Sequence, residues 1–306
     1  MYLSIDIGGT LIKPALMDRS GQIFKKESRP ISRKSIDEFD NILFQVIDYY
    51  FSTDIRGISV SCPGAVDTNT GTIYNGGAFP FQHNVNLKSK LEHRYGVEVA
   101  IENDGRCAAL AELWLGSVQG KRDAVVLVLG SGVGGGIILD GKLRHGGNLL
   151  SGEMSYIMDG FGEESQKATF FGFTGSAVEM IKRINTLKQE KELLDGKKAF
   201  KYINSGDEEA NNIFDEFCQS IGTQILNLQY ILDPEIIAIG GGISAQQILI
   251  ERIKLAIEEL KRVNPMHVAK PNVICCEFQN DANLYGALYN LLSNVDKLLK
   301  KTNEVL

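Results

Sequence analysis

Asp6 ends an apolar run and is followed within four positions by Gly8, Gly9 and Thr10, in the stretch SIDIGGTLIK. An acid at a strand end, two glycines and a hydroxyl suit a phosphate. Adjacent glycines permit positive φ and let backbone N–H groups approach an anion with no Cβ in the way. The Thr10 hydroxyl donates to a phosphate oxygen, and Asp6 holds Mg2+ directly or through water. The same residues also make an ordinary tight hairpin with a solvated aspartate, so this stretch alone leaves both readings open.

Two further glycine turns carry related chemistry. LGSGVGGG, with Ser131, Gly132, Val133 and Gly134 at its centre, contains G-x-G-x-x-G at Gly130, Gly132 and Gly135. A dinucleotide fingerprint opens a helix, whereas these glycines lead into the β-rich, Asp-Gly-punctuated GIILDGKL. Glu153 follows at the distance of a ribose-binding acid but lies in a glycine-broken loop. A second phosphate hairpin explains the turn better. IAIGGGIS ends an apolar strand and starts a helix, so Gly240, Gly241 and Gly242 offer bare backbone to an adenine or ribose near helix N–H groups. No G-x-x-x-x-G-K-[ST] occurs, so any use of ATP proceeds without a P-loop.

The fourth signal is IENDG, which sets Asn103 and Asp104 at the mouth of a helix directly after a strand. One of the two caps the helix. A carboxylate at that place can also accept the proton of a bound hydroxyl while a phosphoryl group is transferred to its oxygen. A helix N-terminus favours the ionised form such a base needs.

These turns require strands ending in glycines and helices behind them. Residues 2–7, 11–17 and 22–27 read as a meander, followed by a helix over about 35–51 and a strand over 55–61. VEVAIENDGRCAALAELWLG reads as a short strand and a helix to Leu115, closed by Gly116. From Asp123 the strand, glycine turn, strand order begins again, a weak internal duplication of the opening hairpin. A glycine-broken stretch (146–175), a polar helical region (176–218), a long apolar helix (about 213–232), a strand running into a helix at 246–262 and a last strand at 272–278 follow. The expected fold class is α/β in two related halves, 1–116 and 117–280, with a helix over about 281–306 folding back on the first.

Composition narrows the partners. The chain has 306 residues, 43% of them hydrophobic and 23% charged, enough for a sizeable core. A net charge of −6 with no basic stripe beyond Lys297 to Lys301 argues against nucleic acid and for a small molecule. No apolar stretch approaches bilayer length and no basic segment leads into an apolar one at the start, so a cytoplasmic protein with no membrane partner is expected. Five cysteines, an odd number scattered through apolar runs, read as reduced buried thiols. His83, His93 and His267 lack metal-ligand spacing, and His145 at most lines the edge of a cleft.

In order along the chain, DIGGT, SCPGAVD (61–67), ENDGRCAALAE (102–112), LGSGVGGGI (129–137), SGE (151–153), IGGGIS (239–244) and NDANLYGAL (280–288) resemble the ROK family of sugar kinases, across about residues 3 to 290. The resemblance implies two ribonuclease-H-like domains of the actin and hexokinase superfamily around a nucleotide/sugar cleft. It also implies ATP with Mg2+, phosphorylation of a sugar hydroxyl, usually the 6-OH, and a homodimer. Carried over by position, Asp104 is the general base, and Asn103 and Glu153 hold sugar hydroxyls. Gly8, Gly9, Thr10, Ser131 and Gly132 to Gly134 cradle phosphate, with Gly241 and Gly242 beside the nucleotide.

Two departures refine this. The family commonly carries a histidine three residues after the glutamate and then a cysteine cluster that bind zinc. Here Tyr156 takes the histidine's place and 157–180 hold no cysteine, so no zinc is expected. Tyr156 either packs in its loop or replaces a histidine contact to the sugar. YNGGAFPF (74–81) stands where many glucose-directed members have Asn and Trp, and is similar to the family's β-glucoside kinases. Gly76, Gly77 and Ala78 either leave room for a second sugar ring or mark only a tight turn. The expected activity is ATP-dependent phosphorylation of the 6-hydroxyl of a glucose unit in a β-glucoside such as cellobiose. The alternatives are a glucose or other hexose kinase and a sugar sensor without turnover. A repressor is not expected, because Asp6 comes too early for a DNA-reading module ahead of it.

Overall fold

The computed structural model describes the backbone of residues 1–162 and 167–305 and the side chains of 1–160 and 168–296. It divides into two compact units. Met1–Leu115, His145–Ser151 and Asp281–Leu306 form the first, and Gly116–Arg144 with Gly152–Asn280 the second.

In chain order the first unit contains β1 (Tyr2–Ile7), β2 (Leu11–Met17), β3 (Ile23–Lys26), β4 (Arg29–Pro30), α1 (Ile36–Tyr50), β5 (Gly57–Cys62), β6 (Ala65–Asp67), β7 (Thr72–Tyr74), β8 (Val85–Asn86), α2 (Leu87–Tyr95), β9 (Glu98–Asn103) and α3 (Asp104–Leu115). The second contains β10 (Ala124–Leu129), β11 (Val133–Leu139), β12 (Lys142–Leu143), β13 (Met158–Gly162), β14 (Lys167–Phe170), α4 (Phe171–Thr174), α5 (Ala177–Leu187), α6 (Gly196–Asn204), α7 (Glu208–Leu232), β15 (Ile236–Gly240), α8 (Gln247–Val263) and β16 (Val273–Cys275). The last helix, α9 (Ala282–Val305), belongs to the first unit. Leu306, the end of the expected terminal helix, lies outside the described residues, as do 163–166 within the cysteine-free stretch 157–180.

The two main sheets share one topology. The first runs β3-β2-β1-β5-β9 with β4 beside β2, and the second runs β12-β11-β10-β15-β16. In each an antiparallel hairpin pairs through its first strand with a parallel strand, β1 with β5 and β10 with β15. This is the mixed α/β architecture expected, and the duplicated hairpin signal corresponds to it.

Period-two alternation explains the layers of the first unit. Leu3, Ile5, Ile7, Ile58, Val60, Val99 and Ile101 pack in a core with Phe39, Leu43 and Ile47 of α1. The intervening positions are smaller or polar. Tyr2 and Ala100 pack with Leu284, Leu288 and Leu291 of α9, and Ser4 donates to the Leu284 carbonyl at 2.7 Å. A sheet covered by helices on both faces buries its strands completely, as the all-buried patterns of β1 and β5 show.

Several elements differ from the sequence reading. The glycine-broken stretch contains the hairpin β13–β14, whose Asp159 bonds Thr174, Ser220 and Gln224 and so ties it to α7. Those polar tertiary partners, rather than an alternating apolar pattern, hold it. The long helix starts at Glu208, capped by Asp207, because the polar first turns of α7 lack the apolar signal used to place its start. The last strand is shorter, Val273–Cys275. The region between β5 and β9 folds as the small sheet β6-β7-β8 and α2. Among the described residues no helix is long and apolar enough to cross a membrane.

Candidate active site

In the first unit the parallel strands β1, β5 and β9 end together. Asp6 is in register with Ser61, Ser61 with Glu102, and Cys62 with Asn103. Ligands of open α/β sheets gather outside such carboxyl ends. The Asp6 carboxylate is buried, which requires partners. Lys13, opposite it across the hairpin, reaches Oδ2 at 3.1 Å, while Asn283 Nδ2 and Ser61 Oγ donate to Oδ1 at 3.0 and 3.3 Å.

The helix cap resolves which residue serves the fold. Asn103 Oδ1 accepts the Arg106 N–H at 3.1 Å, the N3 donor of α3, so Asn103 is the N-cap. Its Nδ2 donates to the Gly64 carbonyl and to Asp104 Oδ1, each at 3.0 Å. One acceptor lone pair of the amide oxygen remains for a ligand. Asp104 is thus the first helical residue and not the cap, and its Oδ1 also accepts the Gly105 N–H at 2.8 Å, which fixes the carboxylate plane.

Three carboxylates act on one point here. Burial pushes the Cys62 thiol well up, and the charges of Asp104, Glu102 and Asp6 push it the same way. Burial and then the Glu102 charge likewise raise the Cys107 thiol, against a hydrogen bond from Ser61. Among the described residues no group of three or more His, Cys, Asp or Glu is placed to hold a metal. With Lys13 on its carboxylate, Asp6 fits Mg2+ held through water and phosphate oxygens better than an all-protein cage.

The glycines divide by what demands them. Gly8 and Gly9 lie outside the positive-φ region, which corrects the turn chemistry expected for them. A Cβ on either would make ordinary contacts, 3.4 Å to the Leu11 carbonyl oxygen and 3.7 Å to the Ala78 Cβ. Neither a positive φ nor packing within the chain requires glycine at these two positions. Thr10 beside them is exposed. Gly76 and Gly77 are the opposite case: a Cβ on Gly76 would overlap the Phe79 carbonyl, and Gly77 has φ +57° against Pro63 and Gly64. The turn itself requires their smallness, whether or not it also leaves room for a second sugar ring.

In the second unit Ser131 is exposed and Gly132 and Gly134 half-buried, at the turn into β11. That turn leads to a strand and not to a helix, as its context indicated. Ser155 fastens it: its hydroxyl accepts the Val133 N–H at 2.9 Å and donates to the Val133 carbonyl at 3.0 Å. The Val133 amide is therefore engaged within the fold, a correction to its expected place in the phosphate cradle. Glu153 precedes the 3-10 turn Met154–Tyr156, and Tyr156 is 67% exposed. Gly241, at φ +99°, lies over the Leu129 carbonyl and is fixed by the fold, whereas space beside Gly242 is open. The glycines do not open a helix, since α8 begins at Gln247 after the turn closed by Ser244.

Sequence reasoning missed Lys13, Ser61, Glu102 and Asn283 around the first-unit carboxylates, and took His145 no further than the edge of a cleft. Period-two alternation, which puts Ser4, Asp6, Ser59, Ser61 and Glu102 on one sheet face, was the available signal.

Two α/β units of one topology, with glycine turns and acids at strand ends, define the class to which the sugar kinases of the actin and hexokinase fold belong. The ROK family model matches residues 2–293, and the chain belongs to the ROK family. It is 34% identical over 300 residues to a β-glucoside kinase of Listeria monocytogenes, spanning 96% of this chain and 98% of that one. Among solved structures it is similar to a Listeria monocytogenes protein described as a candidate N-acetylmannosamine kinase, with TM-score 0.84, 33% identity and coverage of 96% and 99%. A ROK family protein from Streptococcus pneumoniae in complex with sucrose is similar with TM-score 0.84, 29% identity and coverage of 96% and 99%.

Proposed function

We propose that this protein is an ATP-dependent sugar kinase that phosphorylates the 6-hydroxyl of a glucose unit in a β-glucoside such as cellobiose. The observation that carries the mechanism is the division of labour at the start of α3: Asn103 caps the helix, leaving the Asp104 carboxylate oriented but without that duty. Asp104 takes the proton of the 6-hydroxyl as its oxygen bonds the γ-phosphorus and the bond to the β-phosphate oxygen breaks, releasing ADP. Mg2+, when bound, would neutralise charge on the phosphates, and Asp6 is the residue that would hold it, directly or through water.

Gly8, Gly9, Thr10 and the turn Ser131–Gly134 serve the phosphates in this reading, with Val133 contributing shape and not its amide. Gly242 faces the nucleotide. Glu153 and the remaining lone pair of Asn103 hold sugar hydroxyls, and Tyr156, exposed, is available to the same ligand. The domain division at about residue 116, with 281–306 joined to the first part, and a cytoplasmic homodimer accompany this reading.

The β-glucoside preference is supported by the 34% identical β-glucoside kinase, and room for a second sugar ring by the relative in complex with the disaccharide sucrose. A glucose or other hexose kinase is the second reading, favoured by the turn that requires Gly76 and Gly77 whatever the sugar. Coupled ADP-release assays with cellobiose, gentiobiose, glucose, fructose and N-acetylmannosamine, followed by mass spectrometry of the product, test both. Highest kcat/KM on a β-disaccharide, phosphorylated at the 6-position of its non-reducing ring, is expected. Highest kcat/KM on a monosaccharide replaces the β-glucoside assignment, and no turnover with any sugar leaves the sensor.

A further inference from the structure

Glu102 is a fully buried acid one residue before the Asn103–Asp104 turn, and the reaction above makes no use of it. Its Oε1 accepts the backbone N–H of Asn103 at 2.7 Å. Its Oε2 lies 2.7 Å from Nε2 of His145, and since a carboxylate accepts, this ring nitrogen carries the hydrogen. Arg106, one turn along α3, is also fully buried, with Nη1 4.0 Å from Oε1.

His145 does not come from a neighbouring element of the sheet. It begins the segment His145–Ser151, which packs with the first unit although the chain on either side of it belongs to the second. Arg106 fastens the other end of that segment: Nη2 donates to the carbonyls of Leu149 at 2.5 Å and Ser151 at 3.1 Å, and Nε to Ser151 at 3.3 Å. Leu149 takes φ +60°, a left-handed conformation that a leucine adopts only when its surroundings impose it. The segment is thus held at one end by Glu102 and at the other by Arg106, the residues that flank the cap and Asp104 in sequence.

We propose that Glu102 and His145 are a positioning pair for Asp104, with the segment His145–Ser151 serving to deliver the imidazole. A buried carboxylate facing one N–H can rotate about its side-chain torsions, whereas one held at both oxygens cannot. Held by His145, Glu102 fixes the Asn103 amide, and Asn103 in turn holds Asp104 Oδ1 through its Nδ2. This rests on the reading of Asp104 as the base. It assigns His145 a role that neither composition nor metal-ligand spacing indicated.

The test is His145→Ala, with His145→Gln as a second variant that keeps a donor and bulk should the first fold poorly. Misplacing a catalytic group through its support lowers turnover by about 10- to 100-fold. The expected result is a loss of kcat of that order with the KM for ATP within about twofold, on the scale of ordinary binding effects. Because the His145 side chain is 31% exposed, added imidazole should reach the vacated place and restore part of kcat. Hydrogen exchange at the Asn103 amide should accelerate, a readout independent of activity. Unchanged kcat in both variants while Asp104→Asn is inactive overturns the positioning role alone. A fully active Asp104→Asn overturns the base assignment and this inference with it. If the wild type phosphorylates no sugar, unchanged exchange at Asn103 in His145→Ala still overturns the pair.

Discussion

Gly286 of α9 lies so close to the Cys107 carbonyl of α3 that a Cβ built on it would overlap that oxygen. The two helices pack at backbone distance, with Trp114 stacked on Tyr289 at 5.4 Å beside the crossing. The Cβ position is fixed by the α9 backbone and the atoms it meets are α3 backbone, so no side-chain rotation relieves the clash. Gly286→Ala should therefore lower the unfolding free energy by about 3 kcal/mol, the upper part of the range for overpacking. Urea denaturation at neutral pH measures it, and a loss below about 1 kcal/mol shows that the helices move apart at little cost.

Asn103 and Asp104 are adjacent but should fail differently. Asp104→Asn keeps the Oδ1 acceptor for Gly105 and the cap on its neighbour, so stability should stay within about 0.5 kcal/mol, as for a change away from a structural feature. Turnover should fall about 100-fold or more, the share of a general base. Asn103→Ala removes the cap and should cost about 1 kcal/mol or more in stability. Thermal melts and steady-state kinetics on both variants check the pair. A destabilised Asp104→Asn with near-normal kcat would reverse the two roles.

The buried thiols set a slope at alkaline pH. Burial pushes Cys62, Cys107 and Cys218 up, so the folded protein keeps these protons after the unfolded chain has released them. The native state then binds more protons than the unfolded state, and stability falls as pH rises above the ordinary thiol range of about 8.5. Each thiol contributes a slope approaching about 1.4 kcal/mol per pH unit. Below that range their contribution is complete and flat. Urea midpoints from pH 7 to 10 should hold to about pH 8 and then decline, whereas a midpoint that rises through pH 9 contradicts the burial of these groups.

Metal use should be confined to the reaction. The described residues offer no chelating cluster, and the Asp6 carboxylate already has Lys13, Ser61 and Asn283 as partners. Purified protein should carry no stoichiometric zinc by elemental analysis. EDTA should leave the melting temperature unchanged yet abolish ADP release, and Mg2+ should restore it. A melting temperature that drops on chelation would reveal a structural metal.

The alternating apolar strands and the helix periods were legible because each is a local property: Leu3, Ile5 and Ile7 face one core whatever lies around them. The glycine turns at strand ends and the repeated hairpin were local too, and with them the family was legible. That either Asn103 or Asp104 caps α3 was legible as well. Which of the two does so depends on where Gly64 and Arg106 lie relative to the Asn103 side-chain amide, a matter of the folded chain. The same holds for Gly76, whose need for a bare Cα comes from the Phe79 carbonyl folding back over it, and for Gly286, whose need comes from a helix far away in sequence. Glu102 and His145 show the limit most clearly. Forty-three positions separate them, and nothing in either neighbourhood marks the pair. A buried carboxylate must find a partner to offset its desolvation, but which partner arrives is set by the path of the intervening chain.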